Sequence, residues 1–249
     1  MNEGVITLVL FDMGGTLIYS LDRWEFVMDA AQRALEAVLQ NAGCLQDEKK
    51  KTIFRLEFRH RMEVYYLRRN ENMREETTPA ILEGLLKELH CPTVNDEVLF
   101  AGLDAFYSET QKNWRLDPQA IPTLAELSRR GYRMGCISNA AYAPDVYQLL
   151  EKNGLRDFFE GIWISAEVGF RKPNPVIFYK ALDFFDIAPS GAAMVGDSLP
   201  ADVQGARNIG MKSIWITRNE QIEENQAVMD AVKPDMVIQS LVEIPSLLE

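Results

Sequence analysis

The sequence predicts an α/β protein in which a mostly parallel sheet is flanked by helices and interrupted by a helical insertion. The opening apolar run at residues 5–11, "VITLVLF", is typical of a buried strand. From about residue 118 onwards, helical and strand patterns alternate, which indicates parallel strands joined by helices. Between these regions the sequence shows no convincing strand pattern. The predicted domains are therefore an α/β core, residues 1–18 and 115–249, and a helical insertion, residues 19–114.

Four helices are predicted in the insertion. In the first, Val27, Ala31, Leu35 and Val38 recur at helical spacing, and Gly43 marks the end. A second runs from residue 48 past residue 66. A third begins at "TP", residues 78–79, where a capping threonine and a proline suit a helix start. The fourth covers residues 95 to about 114. The short joins between them predict an antiparallel helical subdomain.

The later strands of the core are short apolar runs, and each except the last is preceded by a helical pattern. They are "YRMGCIS", "GIWIS", "GAAMVGD", "SIWIT" and "DMVIQ". Ligands of open parallel sheets bind at the carboxyl ends of the strands. The polar residues at these ends, or in loops on the same side, are therefore the candidate site residues. They are Asp12, Ser138, Asn139, Lys172, Asp197 and Asp202.

The order and spacing of these residues carry a resemblance. Asp12 with Thr16, then Ser138, then Lys172, and then "GDSLPAD" resemble the four motifs of the haloacid dehalogenase-like (HAD) hydrolase superfamily. The match covers essentially the whole chain, and the insertion resembles that family's C1-type cap. The resemblance implies a Rossmann-like, three-layer core with a parallel sheet and an α-helical cap.

The resemblance also implies a chemistry: Mg²⁺-dependent hydrolysis of a small phosphorylated metabolite through an aspartyl-phosphate at Asp12. Asp12, Asp197 and the backbone carbonyl of Gly14 would bind the metal. Thr16, Ser138, Asn139 and Lys172 would bind the phosphoryl group, with Lys172 also serving catalysis by offsetting charge. Asp202 would orient Lys172 or a water on the metal.

Gly14 departs from the family's phosphatase pattern, Asp-x-Asp-x-Thr. The second aspartate protonates the leaving oxygen and then activates water, and glycine can do neither. Three alternatives follow. The protein could be a phosphatase limited to leaving groups that need no proton, a phosphonatase-like or 2-haloacid dehalogenase-like hydrolase, or a catalytically impaired protein that binds a phosphorylated ligand.

Two groups in the insertion could supply the missing chemistry. Lys49, Lys50 and Lys51 lie in the insertion, the region in which phosphonatases carry a Schiff-base lysine, and His60 could act as the acid–base group. A solvated helix start is the favoured interpretation of the lysines, because a Schiff-base lysine has to be desolvated. A surface or packing role is favoured for His60.

The composition limits partners and location. A net charge of −11 argues against a general nucleic-acid binder. No apolar run approaches the length of a membrane span, and the start lacks the features of a signal peptide. These features predict a cytoplasmic protein that is a monomer or homodimer. Cys44, Cys91 and Cys136 are expected to be reduced thiols.

Overall fold

The computed structural model describes residues 5–21, 24–91 and 94–248, apart from the side chains of residues 24–26. The chain divides into two compact units. The core unit consists of Met1–Tyr19 and Arg115–Glu249, and the helical unit of Ser20–Trp114.

The strands and helices are numbered in chain order. The strands are β1 (Leu8–Phe11), β2 (Ile18–Ser20), β3 (Trp114–Leu116), β4 (Arg133–Ser138), β5 (Gly161–Ile164), β6 (Ala192–Gly196), β7 (Lys212–Ile216) and β8 (Met236–Ile238). The helices are α1 (Trp24–Asn41), α2 (Glu48–Arg68), α3 (Thr78–Glu88), α4 (Asp96–Gln111), α5 (Ala120–Arg129), α6 (Ala143–Lys152), α7 (Ser165–Val168), α8 (Pro175–Phe185), α9 (Gln204–Asn208), α10 (Glu223–Gln226) and α11 (Ile244–Leu247).

A parallel sheet organises the core unit. Its strand order over the described residues is β5-β4-β1-β6-β7-β8, and each of these neighbouring pairs is parallel. The predicted α/β class with a parallel sheet is confirmed. Phe11 is level with Cys136 of β4 on one side and with Val195 of β6 on the other. The residues that follow these three strands therefore emerge at one edge of the sheet, the edge formed by the carboxyl ends of the strands. Chain connections run from β1 to strands on either side of it, and ligands of open α/β sheets bind at such a point.

The burial of β1 explains its uninterrupted apolar sequence. All of its residues are buried, because helices cover both faces of the sheet. On one face, Leu8 and Leu10 pack in a cluster with Phe178 and Phe185 of α8. The strand is shorter than the predicted range of residues 5–11: Val5, 84% exposed, lies before it.

The helical unit has its own apolar core. The rings of Phe58 in α2 and Phe106 in α4 meet edge to face with their centroids 5.8 Å apart. A Cβ atom on Gly102 of α4 would lie 2.7 Å from Leu35 Cδ1 of α1, so the two helices approach closely at this glycine. The fourth helix ends at Gln111, before the predicted residue 114, because Trp114 begins β3, which pairs with β2 in a two-stranded sheet.

A disulfide corrects the prediction made for the cysteines. Cys44, just after α1, is bonded to Cys91, just after α3, with Cα atoms 5.1 Å apart. The expectation of reduced thiols is wrong for this pair, because only the packing of helices brings together residues 47 positions apart. Cys136 is free and buried in β4. Since disulfides are typical of oxidising compartments, the cysteines no longer support a cytoplasmic location.

Among the described residues, no helix has both the length and the apolar character that crossing a bilayer requires.

Candidate active site

A buried lysine and a buried aspartate form the centre of the site. Asp12 directly follows β1 and is 7% exposed, and Lys172, in the loop before α8, is 1% exposed. Lys172 Nζ donates to Asp12 Oδ1 at 2.7 Å and to the Ile137 carbonyl at 2.7 Å. It also lies 2.7 Å from Asp202 Oδ1. One ammonium group thus joins residues that are far apart in the sequence.

The charge on Lys172 is maintained by its neighbours. Burial alone would lower the pKa of Lys172, but the carboxylates of Asp12 and Asp202 outweigh it and hold the pKa above its usual range. Lys172 is therefore a fixed positive charge at the sheet edge under neutral conditions.

Three carboxylates converge around this lysine. Asp12, Asp197 and Asp202 are buried, and each offers an oxygen that lies within 4.8 Å of the other two. Burial is the main cause that raises the pKa of both Asp197 and Asp202, and the charge of Asp12 adds to it. A single lysine cannot neutralise three carboxylates when all are ionised, so the cluster has an excess of negative charge.

The cluster fits a divalent cation. Asp12 Oδ2 is buried and, among the residues that the structure describes, has no hydrogen-bond partner. A buried carboxylate oxygen without a donor is costly unless a cation is nearby. The site offers several carboxylate oxygens, which are the ligands that Mg²⁺ prefers. The residues present therefore fit the metal that the sequence predicted.

Two glycines allow the carboxylates to approach the backbone. Gly15 has a φ of +94°, and a Cβ atom there would lie 2.4 Å from Asp197 Oδ2. A Cβ atom on Gly196 would lie 2.2 Å from Asp202 Cγ. Any side chain at either position would displace a carboxylate. Gly14, half-buried and bridged to Ile18, follows Asp12 by two residues and offers no side chain for acid–base chemistry.

The structure brings the other predicted residues to the same edge, with contacts that the sequence did not specify. Ser138 is the buried last residue of β4. Thr16 Oγ1 donates to Asp197 Oδ1 at 3.2 Å. Asn139 Nδ2 donates to the Lys172 carbonyl at 2.9 Å, and Asn139 Oδ1 accepts from the Lys172 N–H at 2.7 Å. The Asn139 amide is thus engaged with the Lys172 backbone, whereas the sequence assigned it to the substrate.

Asp202 lies in a tight turn immediately after β6. The turn, Leu199–Val203, is π-helical, a geometry that often marks functional sites. The Ser198 N–H donates to Asp202 Oδ2 at 3.0 Å, while Oδ1 faces Lys172. Asp202 Oδ2 is therefore held by a hydrogen bond, and Oδ1 by an ion pair with Lys172 alone.

Three residues in β7 and the segment after it contact Asp197, and the sequence did not identify them. Asn219 Nδ2 donates to Asp197 Oδ2 at 2.7 Å. Trp215 Nε1 and Asn225 Nδ2 donate to the Asp197 carbonyl at 3.0 and 2.9 Å. The signal that could have found them is the position of β7, whose carboxyl end also reaches the edge where ligands bind.

The groups proposed from the insertion all lie on α2 of the helical unit. Lys49 and His60 are exposed on α2. Lys51 Nζ is 2.8 Å from Glu48 Oε1 in an ion pair within the same helix. Lys49 therefore lacks the desolvation that a Schiff-base lysine requires, whereas the side chain of Lys51 is only 11% exposed but is paired with Glu48.

Comparison with known proteins decides the family. The family model described as haloacid dehalogenase-like hydrolase matches residues 6–210, which is most of the chain. The chain belongs to the haloacid dehalogenase-like hydrolases. The residues from Asp12 to Asp202 all lie inside the matched region of this HAD-like hydrolase.

Among its relatives are named phosphatases. A glyceraldehyde 3-phosphate phosphatase from Pyrococcus furiosus is 34% identical over 171 residues, covering 69% of this chain and 68% of the relative. A phosphoserine phosphatase from Thermus thermophilus is 37% identical over 142 residues, covering 57% of this chain and 54% of the relative. This chain thus spans only about half the length of the phosphoserine phosphatase.

Solved structures show the same fold. A HAD phosphatase from Thermococcus onnurineus aligns with a TM-score of 0.64 and 24% identity over 98% of each chain. A 2-haloacid dehalogenase from Pseudomonas syringae aligns with a TM-score of 0.66 and 23% identity, again over 98% of each chain. At these identities the likeness concerns the fold alone, so the two structures do not choose between the activities.

Proposed function

We propose that this HAD-like hydrolase is a Mg²⁺-dependent phosphatase that acts on a small phosphorylated metabolite through an aspartyl-phosphate at Asp12. The observation that carries the proposal is the buried cluster of Asp12, Lys172, Asp197 and Asp202 at one edge of the sheet. The relatives that are at least a third identical and are named as phosphatases support phosphate-ester chemistry.

The metal would be held by Asp12, Asp197 and the Gly14 carbonyl. When bound, Mg²⁺ would screen the carboxylates from the incoming phosphate and withdraw charge from the phosphoryl oxygens. The unpartnered Asp12 Oδ2 and the excess negative charge of the cluster support this assignment. Asp202 is engaged with Lys172 and the Ser198 N–H, so we assign it to positioning Lys172.

In the first step, a carboxylate oxygen of Asp12 attacks phosphorus and forms a P–O bond. The bond from phosphorus to the leaving oxygen breaks, and that oxygen departs with the electron pair. Lys172 would face the phosphoryl oxygens and offset their charge, and Ser138 would donate to them, while Thr16 keeps its one hydroxyl proton on Asp197 Oδ1. In the second step, water attacks phosphorus, the P–O bond to Asp12 breaks, and inorganic phosphate leaves.

Gly14 determines which substrates react well. General acid–base catalysis contributes roughly 10²–10⁴-fold, and no side chain at this position can protonate an alkoxide or activate water. Leaving groups that depart as stable anions, such as carboxylates and phenolates, need no proton. We therefore expect acyl and aryl phosphates to react much faster than alkyl phosphates.

The alternatives are less well supported. Phosphonatase-like chemistry needs a desolvated and unpaired lysine in the insertion; Lys49 is exposed, and Lys51, although largely buried, is paired with Glu48. Dehalogenation in this family needs no metal, and it would leave the buried Asp197 and Asp202 without a metal-related role. A protein that only binds a phosphorylated ligand remains as an outcome of the test below.

The test is the release of phosphate from acetyl phosphate and p-nitrophenyl phosphate, with Mg²⁺ and with a chelator. Wild type is compared with Asp12→Asn and with Asp157→Asn, which alters an exposed carboxylate elsewhere in the core unit. We expect Mg²⁺-dependent release by wild type and Asp157→Asn, and none by Asp12→Asn. No release from either compound by wild type, or release that survives in Asp12→Asn, would refute the proposal.

A further inference from the structure

We propose that Asn219 and Asn225 are positioning residues that hold Asp197 in the orientation that metal binding requires. The inference rests on the proposed Mg²⁺ site and extends it to side chains outside the four motifs. Neither asparagine would touch the substrate in this assignment, because each acts through Asp197.

Asn219 fixes the carboxylate of Asp197. Its Nδ2 donates to Asp197 Oδ2 at 2.7 Å, while Thr16 Oγ1 donates to Oδ1 at 3.2 Å. The two donors come from different loops, one after β7 and the other after β1. A carboxylate that is held at both oxygens cannot rotate freely about its terminal bond. The carboxylate of Asp197 is therefore oriented before any cation arrives.

Asn225 fixes the backbone of the same residue. It is fully buried, and its Nδ2 donates to the carbonyls of Asp197 and Asn219, each at 2.9 Å. Its Oδ1 accepts from the Leu199 N–H at 2.7 Å. A side-chain amide has two N–H donors and one carbonyl oxygen, and all three atoms are used. One side chain thereby joins Asp197, the residue that holds its carboxylate, and the turn that carries Asp202.

The loop after β1 packs closely against this arrangement at Gly15. A Cβ atom on Gly15 would lie 2.4 Å from Asp197 Oδ2 and 2.7 Å from Asn219 Nδ2. The loop after β1 therefore packs directly against the Asp197–Asn219 pair. Trp215 Nε1 adds a further donor to the Asp197 carbonyl at 3.0 Å. β7 and the segment after it thus contribute to the site by holding Asp197 through its carboxyl group and its carbonyl.

Hydrogen-bonded partners of metal ligands orient them, and removing such a partner typically costs about 10- to 100-fold in metal affinity. Asn219→Leu removes the donor but keeps a similar shape, so we expect the Mg²⁺ dissociation constant to rise by about that factor. Excess Mg²⁺ should restore the rate constant kcat, and the KM for substrate at saturating Mg²⁺ should change little. A general loss of structure would not produce this pattern.

The experiment is calorimetric titration of the full chain with Mg²⁺ alone, followed by phosphate release at low and saturating Mg²⁺. The variants are Asn219→Leu and Asn225→Leu, with Asn208→Leu on the exposed end of α9 as the matched control. We expect Asn208→Leu to bind Mg²⁺ as wild type does and the other two to bind it more weakly. If Asn225→Leu does not fold, Asn219→Leu, at a half-buried position, decides the question.

The outcomes separate this inference from the proposed function. Wild type that binds no Mg²⁺ would overturn the metal site and the inference with it. Wild type and Asn219→Leu that bind Mg²⁺ equally well would overturn the inference and leave the metal site standing.

Discussion

Asp12 and Lys172, which are 160 residues apart in the sequence, form an ion pair of 2.7 Å in which both side chains are buried. Removing two charges from water is costly, and buried ion pairs are often no more stabilising than apolar residues of similar size. Lys172 is moreover shared between Asp12 and Asp202. The pair is therefore better explained by chemistry at the site than by stability.

Replacing Lys172 should reveal the cost of the uncompensated carboxylates. Lys172→Met would leave Asp12 and Asp202 buried without their cation, and breaking a buried pair costs about 3–5 kcal/mol. We expect a loss of that order in the free energy of unfolding, measured in urea without Mg²⁺, together with loss of phosphate release. Lys180→Met, at an exposed position on α8, should change stability by less than about 0.5 kcal/mol. Equal stabilities for the two variants would contradict the assigned role of Lys172.

Gly14→Asp should restore the acid–base aspartate that the family's phosphatase motif has at this position. We expect the hydrolysis of alkyl phosphates to increase by about 10²–10⁴-fold, because the new carboxyl group can protonate the leaving oxygen. Hydrolysis of acetyl phosphate should increase less, through water activation alone. Gly14→Asn, which has the same shape but cannot transfer a proton in this way, is the control. A similar gain in Gly14→Asn would show that the effect does not come from acid–base catalysis.

Without Mg²⁺, wild type should lose stability relative to Asp197→Asn as the pH rises from about 4 to about 8. Burial and the charges of Asp12 and Asp202 raise the pKa of Asp197 to about 8, whereas an unfolded aspartate has a pKa near 3.9. Between these values the native state retains a proton that the unfolded state has lost, so stability falls as pH rises.

The difference in the free energy of unfolding between wild type and Asp197→Asn should change by at most about 1.4 kcal/mol per pH unit. It is measured by urea unfolding in the presence of a chelator. Added Mg²⁺ should reduce this dependence, because a cation stabilises the ionised carboxylate. A difference that does not change with pH would contradict the raised pKa of Asp197.

The disulfide of the helical unit should be detectable by counting thiols. Unfolded but unreduced protein should expose one thiol, that of Cys136, and reduced protein should expose three. Native protein should expose none at neutral pH, because burial raises the pKa of the Cys136 thiol to about 12. Closing a 47-residue separation stabilises a fold by about 4 kcal/mol in the chain-entropy account, so reductant should lower the thermal midpoint. Three thiols in unfolded, unreduced protein would contradict the bond.

Much of the fold follows from local patterns in the sequence. The apolar run before Asp12 and the alternation of helices and strands determine the parallel sheet, because strands buried on both faces have continuous apolar sequences. The candidate residues at the ends of β1, β4 and β6 also follow, since the carboxyl ends of parallel strands lie at one edge.

The remaining features depend on tertiary contacts that leave little local trace. Asn219 and Asn225 act through hydrogen bonds between the segment after β7 and Asp197 after β6, and no spacing rule connects them. The engagement of Asn139 with the Lys172 backbone and the pairing of Cys44 with Cys91 depend likewise on how distant elements pack.

The most direct test of the account is to look for phosphorylated Asp12. Wild type is mixed with acetyl phosphate and Mg²⁺, quenched in acid and digested. The mass of the peptide that contains Asp12 is then measured by mass spectrometry. Because Gly14 cannot activate water, we expect the aspartyl-phosphate to accumulate, to be cleaved by hydroxylamine, and to be absent from Asp12→Asn. Gly14→Asp should accumulate less of it during turnover. Phosphate release by wild type without phosphorylated Asp12 at any time would contradict the central claim.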